Sequence, residues 1–340
     1  MRILVTGGAG FIGSHLCERL LKDGHEVFCI DNFITGRFKN IEHFKNEGRF
    51  HLLEHDITLP LRSDLIRNED LRFIENREGK IDQIYHLACP SSPIDEQDIP
   101  LQILWINAAG TKNMLELAVR HDANFLLASC AEVYGNVDLG NQLISQKISE
   151  SFQGNIDQLA PLSAIQQGKI FAESLGMNYY RHFRFGLKIG RIFETYGPRM
   201  RTRDGTMISE YIHAAKHDEP LRIPVLKNES AMINVCFVDD IVEGLIGLMN
   251  TPKDFLGPVN LGSPELYSLQ DIAHKIIEIT GSSSLVVEVP LEKKSKPTQI
   301  PDIALAQQKF GFHPKVGLEL GIKNSAASYR VLDKPQLTER

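Results

Sequence analysis

The sequence predicts an α/β fold, a doubly wound parallel sheet of the Rossmann type followed by a smaller C-terminal α/β lobe. Three observations carry that expectation. A short apolar run, Ile3 to Val5, breaks into glycines at Gly7, Gly10 and Gly13 and then into a helical pattern from Phe11. Strand-like runs then alternate with helical ones as far as Ile192, which implies right-handed crossovers and parallel pairing. From about Tyr196 the elements become short and irregular, as expected of a lobe woven over a cleft.

Taken in order, Ile12, Leu16, Leu20 and Leu21 recur at helical spacing, and Gly24 marks the helix end. Glu26 to Ile30 reads as the second strand and Phe50 to Glu54 as the third. Ile81 to Leu87 gives the fourth. Pro100 to Arg120 reads as one long helix, its proline sitting where a first turn tolerates it. Phe125 to Ser129 is the fifth strand, Ala160 to Arg181 a second long helix and Leu187 to Ile192 the sixth strand. Beyond it we expect helices over Met207–Lys216, from Asp239-Asp240 as an N-cap, and over Ser268–Thr280. Residues 1–195 then form the core of a dinucleotide-binding domain to which some later segments return. Residues 196–330 form mainly a substrate lobe, and 331–340 a polar, frayed tail.

The opening stretch makes a specific physical demand. One glycine must turn the chain sharply, another must let backbone approach a pyrophosphate, and the third must let helix pack on strand. The helix N-terminus at Phe11 and Ile12 supplies N–H donors and the positive end of a dipole to the anion. The second strand ends in Asp31, about twenty residues on, where a carboxylate accepts ribose hydroxyls. Asn32, Thr35 and Gly36 lie in the polar turn that wraps that ribose. Asp56 and Ile57 follow the third strand, and Leu87 and Ala88 the fourth, at the strand C-ends where ligands of such sheets lie. The expected cofactor is NAD.

Bulk composition excludes several classes. The 340 residues carry a net charge of −6, which points away from nucleic acid and from a membrane surface. No apolar run approaches the roughly 18 residues of a spanning helix, and the first strand begins too early for a signal peptide. Cys17, Cys29, Cys89, Cys130 and Cys236 are odd in number and lack metal-type spacing, so we expect free thiols, no metal site and a cytoplasmic setting.

By Ala128-Ser129-Cys130-Ala131-Glu132-Val133-Tyr134-Gly135 the chain resembles the extended short-chain dehydrogenase/reductases of the NAD-dependent epimerase/dehydratase type. Within them it is most similar to the UDP-glucuronate decarboxylase (UDP-xylose synthase) branch. Asp31 to Arg37, His86-Leu-Ala-Cys-Pro-Ser-Ser-Pro93, Asn107-Ala-Ala-Gly-Thr111, Arg191 to Met200 and Pro301-Asp302-Ile303 also carry the resemblance, which runs to about residue 325. It implies a bound NAD that takes and returns a hydride at a sugar carbon, a nucleotide-sugar-like substrate, and a homodimer built on the two long helices.

The resemblance also exposes departures. The family base is the tyrosine of Tyr-x-x-x-Lys; the lysine falls at Lys169 and the tyrosine at Ile165. Loss of a general base costs about 10²–10⁴-fold. The family threonine falls at Cys130, the following serine at Ala131, and the acid assisting decarboxylation at Glu132. An arginine and a tyrosine of the family fall at Leu162 and Glu96, an asparagine at Glu194, and two further arginines at Ile233 and Gln299. The candidate substrate-facing residues are Ser91, Glu194, Arg199 and Gln299. The resemblance places Cys130 beside Lys169, whose ammonium can depress the thiol pKa and make it a candidate proton donor or nucleophile; the other reading, a small buried residue standing in for the threonine, stays open. The reading is an enzyme of altered chemistry using Glu132, Cys130 and Lys169. A silent NAD-binding scaffold or sensor, and ordinary decarboxylation by substitute groups, stay open.

Overall fold

The computed structural model describes residues 1–61, 74, 79–135, 147–157, 159–160, 163–226, 229–290 and 298–329. Leu162 and the polar tail lie outside them. Seven parallel strands form the main sheet: β1 (Arg2–Thr6), β2 (Glu26–Asp31), β3 (Phe50–Glu54), β4 (Gln83–His86), β5 (Asn124–Cys130), β6 (Leu187–Ile192) and β7 (Val259–Leu261). Their order is β7-β6-β5-β4-β1-β2-β3, so the chain reverses direction across the sheet between β1 and β4. Ligands of open α/β sheets bind outside the strand C-ends at such a switch point.

Helices cover both faces. Helix α1 (Phe11–Lys22) buries Leu16, Leu20 and Leu21 on one side, joined there by α4 (Val238–Met249). Helices α2 (Thr111–His121) and α3 (Ala164–Phe183) cover the other, with Met114, Leu115, Ala118 and Ala172 against Phe125, Leu127 and Leu187. Near-continuous apolar strands such as Ile3-Leu4-Val5, all fully buried, are the pattern of a sheet covered twice. The lobe has its own core around Tyr211, Leu221, Phe237 and Ile276, with helices Met207–Lys216, Leu269–Thr280 and Leu318–Ser328. Among the described residues no helix is long and apolar enough to cross a membrane, and all five cysteines are free.

Three expectations need correction. The helix expected over Pro100–Arg120 is broken: Pro100–Trp105 is α-helical, Ile106–Gly110 widens into a π turn, and α2 follows. Asn107 sits in that turn, its amide donating to the Ile103 carbonyl at 2.9 Å. It lies so close to Gly168 of α3 that a Cβ there would stand 2.8 Å from the amide nitrogen. The second long helix begins at Ala164 rather than Ala160. Asp239 and Asp240 do not cap α4; the cap position is Phe237, and both acids lie in the first turn. Asp240 instead accepts the backbone N–H groups of Lys315 and Val316, both at 3.0 Å, and Asp239 pairs with His15 at 3.2 Å.

Candidate active site

The cleft starts at the glycine turn after β1. Gly7 takes a positive φ of 71°, and a Cβ there would stand 2.9 Å from the Ala88 backbone. A Cβ on Gly13 would fall 2.1 Å from the Gly7 carbonyl oxygen. Helix α1 has no side-chain cap and no acidic residue in its first turn, so its leading N–H groups and dipole are left for an anion. Across the turn, buried Asp31 accepts from the N–H groups of Ala9 at 2.9 Å and Phe33 at 2.8 Å. Burial raises its pKa, and those two donors offset part of the rise. A Cβ on Gly36 would come within 2.6 Å of the Asp31 carboxylate. An uncapped helix start, a bare backbone turn and a carboxylate at the end of β2 fit a dinucleotide.

The floor is set by β4, β5 and α3. Lys169, 6% exposed, donates to the Ala128 carbonyl at 2.8 Å. His86 lies between the hydroxyls of Thr6 at 2.9 Å and Thr111 at 3.1 Å. Burial, and then the charge of Lys169, lowers its pKa to about 3, so it is neutral and structural. One turn before Lys169, Ile165 is buried in an apolar cluster with Ile103 and Ala164, against which Cys89, Ile99 and Cys130 pack.

Of the two readings of Cys130, the structure favours the packed residue. Its thiol pKa is raised well above the ordinary value, by burial first and by the charge of Glu132 next; Lys169 acts in the opposite sense but does not prevail. Cys130 is therefore a protonated thiol at neutral pH, not an activated nucleophile.

Beyond it the cleft turns acidic. Glu132 stands exposed on the turn after β5, and Glu194 follows β6. Glu194 is exposed to the open cleft. Desolvation by the cleft walls, and then the charges of Glu132 and Asp204, raises its pKa to about 7. The segment 198–206 straps this end. The Pro198 carbonyl lies 3.0 Å from the His15 ring, and Arg199 pairs with Glu18 on α1. Arg201 donates to Ser92 at 2.9 Å and Asp95 at 2.6 Å.

Comparison with known proteins places this geometry. The model of the NAD dependent epimerase/dehydratase family matches residues 3–262. The chain belongs to that family. Among curated members of this NAD-dependent epimerase/dehydratase family, UDP-glucuronic acid decarboxylase 1 of Xenopus tropicalis is 37% identical over 329 residues, covering 97% of this chain and 72% of the relative. UDP-glucuronic acid decarboxylase 6 of Arabidopsis thaliana is 37% identical over 332 residues, covering 97% and 89%. A solved UDP-glucuronic acid 4-epimerase of Bacillus cereus, in complex with NAD, superposes with a TM-score of 0.76 at 29% identity, covering 96% of this chain and 98% of that one.

In this family member one cleft is lined by the predicted Gly7, Gly10, Phe11, Ile12, Gly13, Asp31, Asn32, Thr35, Gly36, Asp56, Ile57, Leu87, Ala88 and Lys169. Ser91, Cys130, Glu132, Glu194 and Arg199 line it as well. Gln299 does not; its amide donates to the Gly135 carbonyl at 2.8 Å, behind the turn that carries Glu132. Sequence reading missed Asp95, Arg201 and Asp204, which line the acidic end. The available signal was the charged run Arg199-Met-Arg-Thr-Arg-Asp204 straight after Tyr-Gly-Pro.

Proposed function

We propose that the chain holds NAD in this cleft and acts on a nucleotide-sugar-like substrate by chemistry that dispenses with the family tyrosine. The carrying observation is the contrast within one cleft: an intact dinucleotide cradle joined to an end where Ile165 is packed away in an apolar cluster and Glu132 and Glu194 face the opening. Gly7 to Gly13 and the start of α1 would hold the pyrophosphate, Asp31 the adenosine ribose, and Lys169 the nicotinamide ribose. The dinucleotide supplies a hydride acceptor when bound. Glu132 is the group that takes the hydroxyl proton as the hydride leaves. It is the carboxylate on the turn after Cys130 and is open to the cleft. Cys130, held protonated, packs against Ile165 rather than entering the chemistry. Leu101 and Trp105, exposed on the short helix Pro100–Trp105, and Phe171, exposed on α3, support a homodimer through that face.

The test is to load purified protein with NAD and offer a broad panel of sugar nucleotides while following reduced-nicotinamide absorbance. A transient signal with one member, lost in Glu132→Gln, is the expected result. Silence across the panel, with NAD bound throughout, would favour the scaffold reading, which the apolar surroundings of Ile165 and the unreactive thiol of Cys130 also fit.

A further inference from the structure

The cleft floor is clasped from behind by an ion pair that the reaction scheme does not use. Glu173 lies one turn beyond Lys169 on α3, and Arg191 lies on β6 in register with Ser129 of β5. Arg191 donates to Glu173 twice, Nε to Oε1 at 2.9 Å and a terminal nitrogen to Oε2 at 2.7 Å. The Ser129 hydroxyl donates to the same carboxylate at 2.6 Å. Both charged side chains are only 13% exposed. Arg191 also donates to the Glu150 carbonyl at 3.1 Å and lies 4.7 Å over the Tyr134 ring, whose hydroxyl bonds Asn260.

We infer that Glu173 and Arg191 are a positioning pair that sets Lys169 against the end of β5, an inference that rests on Lys169 holding the dinucleotide. The geometry is a two-point clasp. Lys169 grips the Ala128 carbonyl, and one turn on Glu173 grips the Ser129 hydroxyl, so α3 and β5 are fixed in both slide and rotation. Three donors converge on one side chain, and only a carboxylate accepts all three. A buried ion pair is weak evidence for net stability, because desolvation consumes much of its attraction. What a bidentate fork does supply is a fixed angle between the elements that carry it. Here those elements are the helix carrying Lys169 and the strand next to β5. The clasp also fixes where the following turn presents Cys130 and Glu132.

The test is a double-mutant cycle read as NADH affinity by fluorescence titration, with thermal midpoint measured alongside. Ser129→Ala removes one half of the clasp while leaving the ion pair, so it should fold where Glu173→Gln fails. We expect Ser129→Ala to weaken NADH binding about threefold to tenfold in the native background but less than about twofold in Lys169→Ala, the non-additivity of residues acting through one another. Glu173→Gln, where it folds, should repeat the pattern with a larger factor. An equal factor in both backgrounds, or a lowered thermal midpoint with unchanged NADH affinity, overturns the positioning role. An unchanged affinity in Lys169→Ala alone overturns instead the assignment of Lys169 to the dinucleotide.

Discussion

Ile165 and Lys169 stand one helical turn apart on the buried face of α3, and they meet opposite environments. The lysine nitrogen reaches the Ala128 carbonyl at 2.8 Å in the cleft floor, whereas the isoleucine is sealed among Ile103, Ala164 and the side chains of Cys89 and Cys130. A tyrosine at position 165 would bring a ring and a hydroxyl into that cluster. Overpacking a filled apolar site costs about 1–3 kcal/mol. Ile165→Tyr should therefore lower the thermal midpoint and yield no turnover of UDP-glucuronate, since Cys130 and Glu194 also depart from the family pattern. Product analysis by chromatography checks it; appearance of UDP-xylose would show that the base alone separates this chain from its relatives.

Glu132 should carry proton transfer. Glu132→Gln keeps its shape and its backbone contact, the Gln166 amide on the Glu132 carbonyl at 2.7 Å. Turnover of whichever substrate the panel reveals should fall by about 10²–10⁴-fold, the usual cost of a general acid or base. NADH affinity should stay within about twofold, because the expected loss is confined to the proton-transfer step. Steady-state kinetics with a parallel NADH titration separates the two.

How much of this was legible in the sequence depends on whether a feature is local. The glycine turn was readable because each glycine answers a backbone demand visible within a few residues, as the close approaches at Gly7 and Gly13 show. The strand β7 was not, because Val259–Leu261 has three residues and is a strand only through pairing with β6. The π turn depends on the Asn107 side chain bonding backward and meeting Gly168, a contact between helices. Arg201 and Asp95 are 106 residues apart, and nothing local announces their pairing. For the same reason the sequence left Cys130 open between an activated thiol and a buried packing residue. A neighbouring lysine was inferred from a motif, but burial, the larger effect, appears only in the packed structure.

Glu194 should make stability pH-dependent in a recognisable direction. Its folded pKa of about 7 lies above the ordinary carboxyl value of 4.5. The folded state thus binds the proton more tightly than the unfolded chain, and the resulting stability is present at low pH and lost as pH rises through about 7. Glu194→Gln, which cannot ionise, should match the native thermal midpoint near the low end and exceed it increasingly toward the high end. Paired thermal melts from acid to slightly alkaline pH check the sign. A midpoint difference that is constant or shrinks with rising pH would show that the fold does not raise the pKa of this carboxyl.

Gly13→Ala isolates the demand made by the glycine turn. Gly13 lies in helix α1, where alanine is the better helix former by about 1 kcal/mol, so propensity alone predicts stabilisation. Tertiary geometry opposes it. The new Cβ would lie 2.1 Å from the Gly7 carbonyl oxygen and 2.9 Å from the Gly8 Cα, both backbone atoms that cannot rotate aside. Helix and turn must separate, which moves the N–H groups of α1 from the place where a pyrophosphate would sit. The clash should outweigh the propensity gain. We expect a lower thermal midpoint together with NADH affinity reduced by about tenfold or more, as the charge-assisted hydrogen bonds those N–H groups would make to a pyrophosphate are weakened. Gly48→Ala, at a glycine with nothing within 4 Å of its Cβ, is the control and should change neither. A Gly13→Ala protein with native NADH affinity would show that this turn does not hold the dinucleotide.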